Sequence, residues 1–210
     1  VGKNQRRRQK ALEKKKSKRK AVKAAKRAVL GATSTARDIA IAAGSPVHEC
    51  LIPKDLFELG IGNVFIAKMM PNRSIGLGVF LLDVYCLGVK DTFYSTLVPD
   101  EYTKKKHQFE VNSPLETLHP SCLRKLVDGG VIYAEQLGFK PHKDYKVVKQ
   151  IFGQIDAAAC PRVFDYGRDG KPYYVSGPND TPKRIKAIID TLSKKCGPGG
   201  YHYMTGIEDL

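Results

Sequence analysis

The chain has no tryptophan, and its first 30 residues contain no proline, no aromatic residue and a single acid, Glu13. Nowhere does an apolar run reach the length of about 20 residues that a membrane-crossing helix needs, nor is there the shorter apolar core of a secretory signal. The opening segment is poor in acids, as mitochondrial presequences are, but it lacks their serine content and amphipathic face. There is no P-loop, GxGxxG, GxSxG or HExxH pattern, so no motif names a reaction. No CxxC or HxxxH spacing exists, which leaves a structural zinc site without its ligand pairs and predicts neither metal nor cofactor. The five cysteines, at 50, 86, 122, 160 and 196, are odd in number and far apart in sequence. That usage predicts reduced thiols and a cytoplasmic setting.

What the chain does have is positive charge, gathered at one end. Residues 1–30 carry fourteen bases: Lys3, Arg6, Arg7, Arg8, Lys10, Lys14, Lys15, Lys16, Lys18, Arg19, Lys20, Lys23, Lys26 and Arg27. Against Glu13 they amount to +13, whereas the other 180 residues hold 22 bases and 20 acids. The segment is rich in helix formers, but its like charges oppose a helix in water and would cease to do so against phosphates. Leu12, Val22, Val29 and Leu30 make no continuous stripe, so the arm offers no membrane-binding or calmodulin-type face. A dense polycation that is not amphipathic points to a polyanion, and above all to RNA. A solvated tail is the plainer alternative.

Residues 31–46 read as a connector with a short helix from about Ala36 to Ala43. From Val47 on there is enough chain for one domain of about 165 residues, large enough to bury roughly 70 % of its unfolded surface. Strands are expected at Val47–Ile52, at Asn63–Met70 and, as one long element, at Ile75–Leu87. A helical turn at Leu56–Leu59 stops at Gly60, and a basic helix starts at Pro99. A stronger helix runs from Pro120 to about Leu137, with Leu123, Leu126, Val127, Val131 and Ala134 at helical spacing. Gly129 and Gly130 in its middle imply a kink or a close backbone approach. A further helix is expected over Asp144–Phe152, then a hairpin of Arg162–Tyr166 with Tyr173–Ser176 around Asp169-Gly170. A last helix is capped by Thr181, with Pro182 at its first position, and Tyr201 and Tyr203 fall in a closing strand. Clustered strands and clustered helices predict an α+β fold: a single domain with a largely antiparallel sheet packed by helices, preceded by the basic arm or helix.

Few groups in the body stand out chemically. Lys183 and Arg184 lie in the first turn of the last helix, where the helix dipole disfavours cations. Either the turn is an ordinary Thr181 cap with solvated bases, or a phosphate docks on it, with Thr181, Lys183 and Arg184 as contacts. Asp83, inside an apolar strand, must pair, cap a loop or bind a metal. Cys86 would need a base such as His48 to act as a nucleophile, and otherwise is a buried structural thiol. Strict alternation places His48 and Cys50 on one face of their strand and Glu49 on the other. Asp156, in QIDAAACP, is a further weak candidate. Tyr166, Tyr173, Tyr174, Tyr201 and Tyr203 would stack RNA bases if exposed and pack the core if not.

The body from Val47 to Met204, with the stretches HECLIP, LLDVYCLGVKD, IFGQIDAAACP and YVSGPNDTP, resembles an uncharacterised bacterial protein family; that resemblance implies no particular activity. Residues 1–30 resemble, by composition, the basic extensions of ribosomal proteins and ribosome-bound factors. That likeness implies contact with ribosomal RNA or the ribosome, with ribosomal proteins as neighbours and no membrane partner. The expectation is therefore an RNA-binding protein associated with the ribosome. The alternatives are an RNA-directed hydrolase or nuclease that uses the arm for recruitment, and a DNA-binding protein.

Overall fold

The computed structural model describes residues 34–205. The chain divides into two units, Val1–Asp38 and Ile39–Leu210. Of the first, only the helical residues 34–38 are described; the fourteen basic residues of the arm and its expected helix lie outside the described residues.

The second unit is an α+β domain built on a five-stranded antiparallel sheet in the order β4-β3-β2-β1-β5. The strands are β1 Val47–Pro53, β2 Ile61–Met69, β3 Ile75–Asp83, β4 Gly88–Leu97 and β5 Leu115–Thr117. Successive tight connections explain this meander. The α2 turn Leu56–Leu59 joins β1 to β2 and ends on Gly60 in the left-handed region, as its sequence predicts. Between β2 and β3, Asn72 Oδ1 accepts from Ser74 N at 3.1 Å, holding the Pro71–Ser74 turn.

The expected long strand Ile75–Leu87 is a correction. It stops at Asp83, turns through Val84–Leu87 and returns as β4, an element not apparent in the sequence. The apolar run continues through the turn because Val84, Tyr85, Cys86 and Leu87 are all buried, so hydrophobicity marks burial here and not strand length. The carboxylate of Asp83 makes the turn, accepting from Tyr85 N at 3.0 Å and Cys86 N at 2.9 Å.

Each face of the sheet has its own cover. On one side lies the larger core, where Val64, Ile66, Phe80 and Leu82 meet Leu123, Leu126 and Val127 of α4 (Pro120–Gln136). Val148 of α5 (Tyr145–Val148) and Ile151 and Phe152 of the 3-10 turn Lys149–Phe152 complete it. Ile39 and Ala42, on the helix α1 (34–44), are fully buried in the same core, so the expected connector contributes to the body. On the other side α3 (Pro99–Asn112) lays Tyr102 and Phe109 over Phe65, Leu77 and Val79.

Gly88 explains how close α4 can come. A Cβ added there, where φ is +64°, would stand 2.8 Å from the Gly130 carbonyl oxygen and 2.9 Å from Ala134 Cβ, so helix backbone and hairpin backbone nearly touch. A side chain at Gly88 would force them apart, whereas a Cβ at Gly130 would meet the Leu82 side chain.

The third cluster joins the Cys86–Leu87 turn to α6 (Pro182–Cys196) through Tyr174, Ile185, Ile188 and Leu192. Here the expected hairpin is also corrected. Arg168 and Lys171 form only an isolated bridge, and Arg162–Tyr166 is not a strand. Instead β6 (Tyr173–Val175) pairs in parallel with β7 (His202–Met204), at the far end of α6. Tyr166 is drawn away to α4, where its hydroxyl donates to Leu126 O at 2.9 Å.

Cys122 and Cys160 are joined as a disulfide that ties the start of α4 to the 3-10 turn Ala157–Ala159. Five reduced thiols are therefore not what the structure contains. Spacing misled because the chain folds back over a sequence separation of 38 to bring the two cysteines together.

Candidate functional site

The β3–β4 turn, the start of α6 and the segment after α4 meet around one cleft. From the turn comes Lys90, two residues into β4 and half-buried. Below it sits Asp83. Burial pushes its carboxyl up to about 6, against the lowering effect of Lys90 and of the N–H groups of Cys86, Leu87 and Tyr85. Tyr85 anchors the outside of the turn by donating its hydroxyl to the carbonyls of Phe57 and Glu58.

The second wall is the segment Ser176–Asp180 leading from β6 into α6. Asp180 accepts from Gly177 N at 2.9 Å and from Tyr174 OH at 3.0 Å, and pairs with Arg184 Nε at 3.1 Å. Burial alone would raise its carboxyl. The Gly177 and Tyr174 donors and the charges of Lys90 and Arg184 outweigh that, and the group lies below the usual range. Thr181 caps α6, its Oγ1 accepting from Arg184 N at 3.3 Å. The cation at this helix start is thus answered by a carboxylate four residues earlier. No anion is needed to explain Arg184, and Lys183 points to solvent. Of Thr181, Lys183 and Arg184, only Arg184 lines the cleft.

The third wall is His142. Its backbone N–H donates to Val89 O at 2.9 Å, which fixes the segment against β4. Its imidazole lies between Asp91 at 3.7 Å and Asp144 at 3.8 Å. The cleft has a volume of about 680 Å³, and a second hollow of about 320 Å³ adjoins it. Lys90, His142 and Arg184 line both and form the ridge between them, with Lys140 on the far side. Apolar side chains also line the larger cleft: Val175 and Pro178 at its second wall, and Leu59, Ile61 and Leu81, the last two paired across the sheet with Asp83 and Asp91.

The other candidates do not assemble. His48 is on the wrong face for the expected pairing with Cys50. A bulge between Val47 and Glu49 breaks the alternation, so His48 packs edge-on against Tyr102 of α3, 3.9 Å from Glu49. Glu49 in turn accepts from Tyr102 OH at 2.6 Å and pairs with Lys106 at 2.8 Å. Cys50 is buried in the core on the opposite face, where burial pushes its thiol up to about 12. Cys86 is fully buried, and burial together with Asp83 raises its thiol far from the reactive range. Asp156 caps a 3-10 turn through Ala158 N at 2.8 Å. Among the described residues no three His, Cys, Asp or Glu side chains gather to hold a metal ion.

The aromatic residues mostly serve packing. Tyr174 is fully buried, and Tyr166 stacks on Tyr133. Tyr173 lies against Tyr85 with the Arg168 guanidinium over its ring. Tyr203, half-exposed, stacks on Tyr201.

Sequence reasoning singled out Asp83, Tyr173 and Arg184 of this cleft but missed Lys90, His142 and Asp180. The VKD triplet after the turn was the available signal for Lys90, hidden because β4 was not recognised as a strand. Among the described residues no helix is long and apolar enough to cross a membrane. No family model matches the chain, and neither a curated protein nor a solved structure is similar to it.

Proposed function

We propose that this chain binds ribosomal RNA through residues 1–30 and that its body docks on the ribosome, beside ribosomal proteins, in the cytoplasm. The observation that carries this reading is the charge asymmetry: fourteen bases against one acid in the first 30 residues, beside a body of 22 bases and 20 acids. A polyanion gains most by meeting the arm, because every base that replaces a condensed counterion on a phosphate releases that counterion to bulk. The arm has few groups that read base edges, so selectivity comes from RNA shape.

The body supports a docking role over a catalytic one. Asp83 and Cys86 meet in one buried turn, where the carboxylate accepts from Cys86 N and the thiol is held far above the reactive range, while His48 and Asp156 are engaged elsewhere, so an RNA-directed hydrolase finds no base beside a reactive thiol among these four. Co-sedimentation with ribosomes, and RNA affinity with and without residues 1–30, test the reading. Affinity is expected to fall roughly 10³- to 10⁵-fold between about 50 and 200 mM salt if about 6–10 phosphates are contacted. Deletion of residues 1–30 removes most of that affinity. Unchanged binding after the deletion refutes the proposal, and a preference for duplex DNA over rRNA in competition replaces it with a DNA-binding reading.

A further inference from the structure

The cleft around Lys90 is left unused by an arm that binds RNA, and it gathers Lys90, Arg184 and His142 around one open space. Asp180 stands beside Arg184, Asp83 and Asp91 stand beside Ile61 and Leu81, and Leu59 adds exposed apolar surface. We propose that the cleft is a binding site for a nucleoside 5′-phosphate, with the phosphate at Lys90 and Arg184 and the base against Leu59, Ile61 and Leu81. The inference rests on the body and goes beyond the RNA reading of the arm.

Lys90 carries the argument. It is half-buried on the edge strand β4, and among the described residues it has no ion pair within 4 Å. The two carboxylates that feel its charge, Asp83 and Asp180, are already engaged by other donors. Asp83 accepts from two backbone N–H groups of its own turn, and Asp180 is met by Gly177 N, Tyr174 OH and Arg184. The Lys90 ammonium therefore keeps its donors for something in the cleft. It lies close over Gly177, where an added Cβ would stand 3.7 Å from Nζ. Arg184 reaches the same space; it meets Asp180 through Nε, and its side chain is more than half exposed. An ammonium beside a guanidinium suits a phosphate, which offers several strong acceptor oxygens at once.

The remainder of the cleft fixes the rest of the ligand. Its volume, about 680 Å³, lies in the range of pockets that enclose small organic ligands. Ser176 and Asn179, polar side chains of the same lining, suit a ribose. Leu59 and Ile61 expose 60 % and 37 % of their surface, apolar area that a flat base would cover. A fatty acid fits poorly, because Asp83, Asp91 and His142 interrupt any continuous apolar channel.

The phosphate could belong to a free mononucleotide or to the 5′ end of an RNA strand, and the two are separable. Calorimetric titration of the full chain with AMP at moderate salt is expected to give one site, weakened about tenfold or more in Lys90→Met. Adenosine should bind more weakly than AMP. In the same wild-type protein, AMP should shift the backbone amide signals of Gly177 and Lys90, a readout that needs no variant. A 5′-phosphorylated trinucleotide that binds better than its 5′-hydroxyl form, with the difference lost in Lys90→Met, identifies the strand end as the source. No such difference, with AMP still bound, identifies the free nucleotide. No AMP binding, or binding equal in wild type and Lys90→Met without amide shifts at the cleft, overturns the proposal. Salt-dependent affinity for RNA with a 5′-hydroxyl end, which offers the cleft no terminal phosphate, stays at the wild-type value in the same Lys90→Met protein if the arm acts as proposed, so the two readings fail separately.

Discussion

Asp180 and Arg184 stand four residues apart at the start of α6, with Nε 3.1 Å from Oδ1. The same carboxylate holds Gly177 N and Tyr174 OH, so one side chain shapes the β6–α6 segment, fastens it to a buried tyrosine and neutralises a cation at a helix N-terminus. Replacing it strands two donors, and Asp180→Ala is expected to cost about 2–3 kcal/mol in urea denaturation. Asp180→Asn, which keeps an acceptor, should cost less. Because the native carboxyl lies below its ordinary range, its contribution is present above the unfolded pKa and is lost as pH falls through the native one. The acid limb of the stability profile should accordingly be shallower in the Asn variant.

Asp83 has the opposite sign. Its native carboxyl titrates near 6 and its unfolded one near 3.8, so the native state binds the proton more tightly. Stability should be fully supported below about 4 and fall by about 2–3 kcal/mol as pH rises to about 6 and beyond. In Asp83→Asn that fall should vanish. Urea unfolding at steps between pH 4 and 7 checks it, and an unchanged slope in the variant would remove Asp83 as its source.

Gly129 gives a prediction whose sign depends on a second residue. The three atoms nearest to a Cβ there, all within 3.1 Å, belong to Tyr166. Gly129→Ala should therefore destabilise by about 1–3 kcal/mol through overpacking. In a Tyr166→Ala background the same change should stabilise by up to about 1 kcal/mol, the helix propensity gained when alanine replaces glycine. A double-mutant cycle measures both.

The Cys122–Cys160 bridge closes a loop with a sequence separation of 38 residues. Converting both cysteines to serine should cost about 3–4 kcal/mol under oxidising conditions. Thiol counting on the denatured oxidised protein should find three free cysteines: Cys50, Cys86 and Cys196. A cytoplasmic setting predicts five when the thiols are trapped by alkylation inside the cell. Three in that experiment would place the protein in an oxidising compartment.

Much of the fold could be read from the sequence where local chemistry and tertiary environment agree. Gly60, Pro120, Thr181 and Pro182 sit where their backbone preferences put them, and the periodic leucines of α4 face the core. The reading failed where one signal has two causes. Apolar residues from Phe80 to Leu87 looked like one strand because a buried turn is as hydrophobic as a buried strand. His48 was put on the wrong face because a bulge is invisible to a period-two pattern. The partner of Tyr173–Val175 was misplaced because β7 lies beyond a whole helix, and nothing local announces a parallel pairing. The cleft drew on the first and the last of these failures, since Lys90 and His142 need the turn that starts β4 and Asp180 needs β6 in its true place.

The sheet has a thick side and a thin side. Helix α4, the α5 turn and Ile39 and Ala42 weigh on one face, while α3 alone shields the other, with a far smaller set of buried side chains. Opening need not be uniform, and it starts where least apolar surface is lost. Lifting α3 would expose Phe65, Leu77 and Val79 while leaving the turn at Asp83 and the helix start at Asp180 untouched. In amide exchange the protein should then unzip in two stages, α3 first, with the Lys90 cleft persisting in the partly opened molecule.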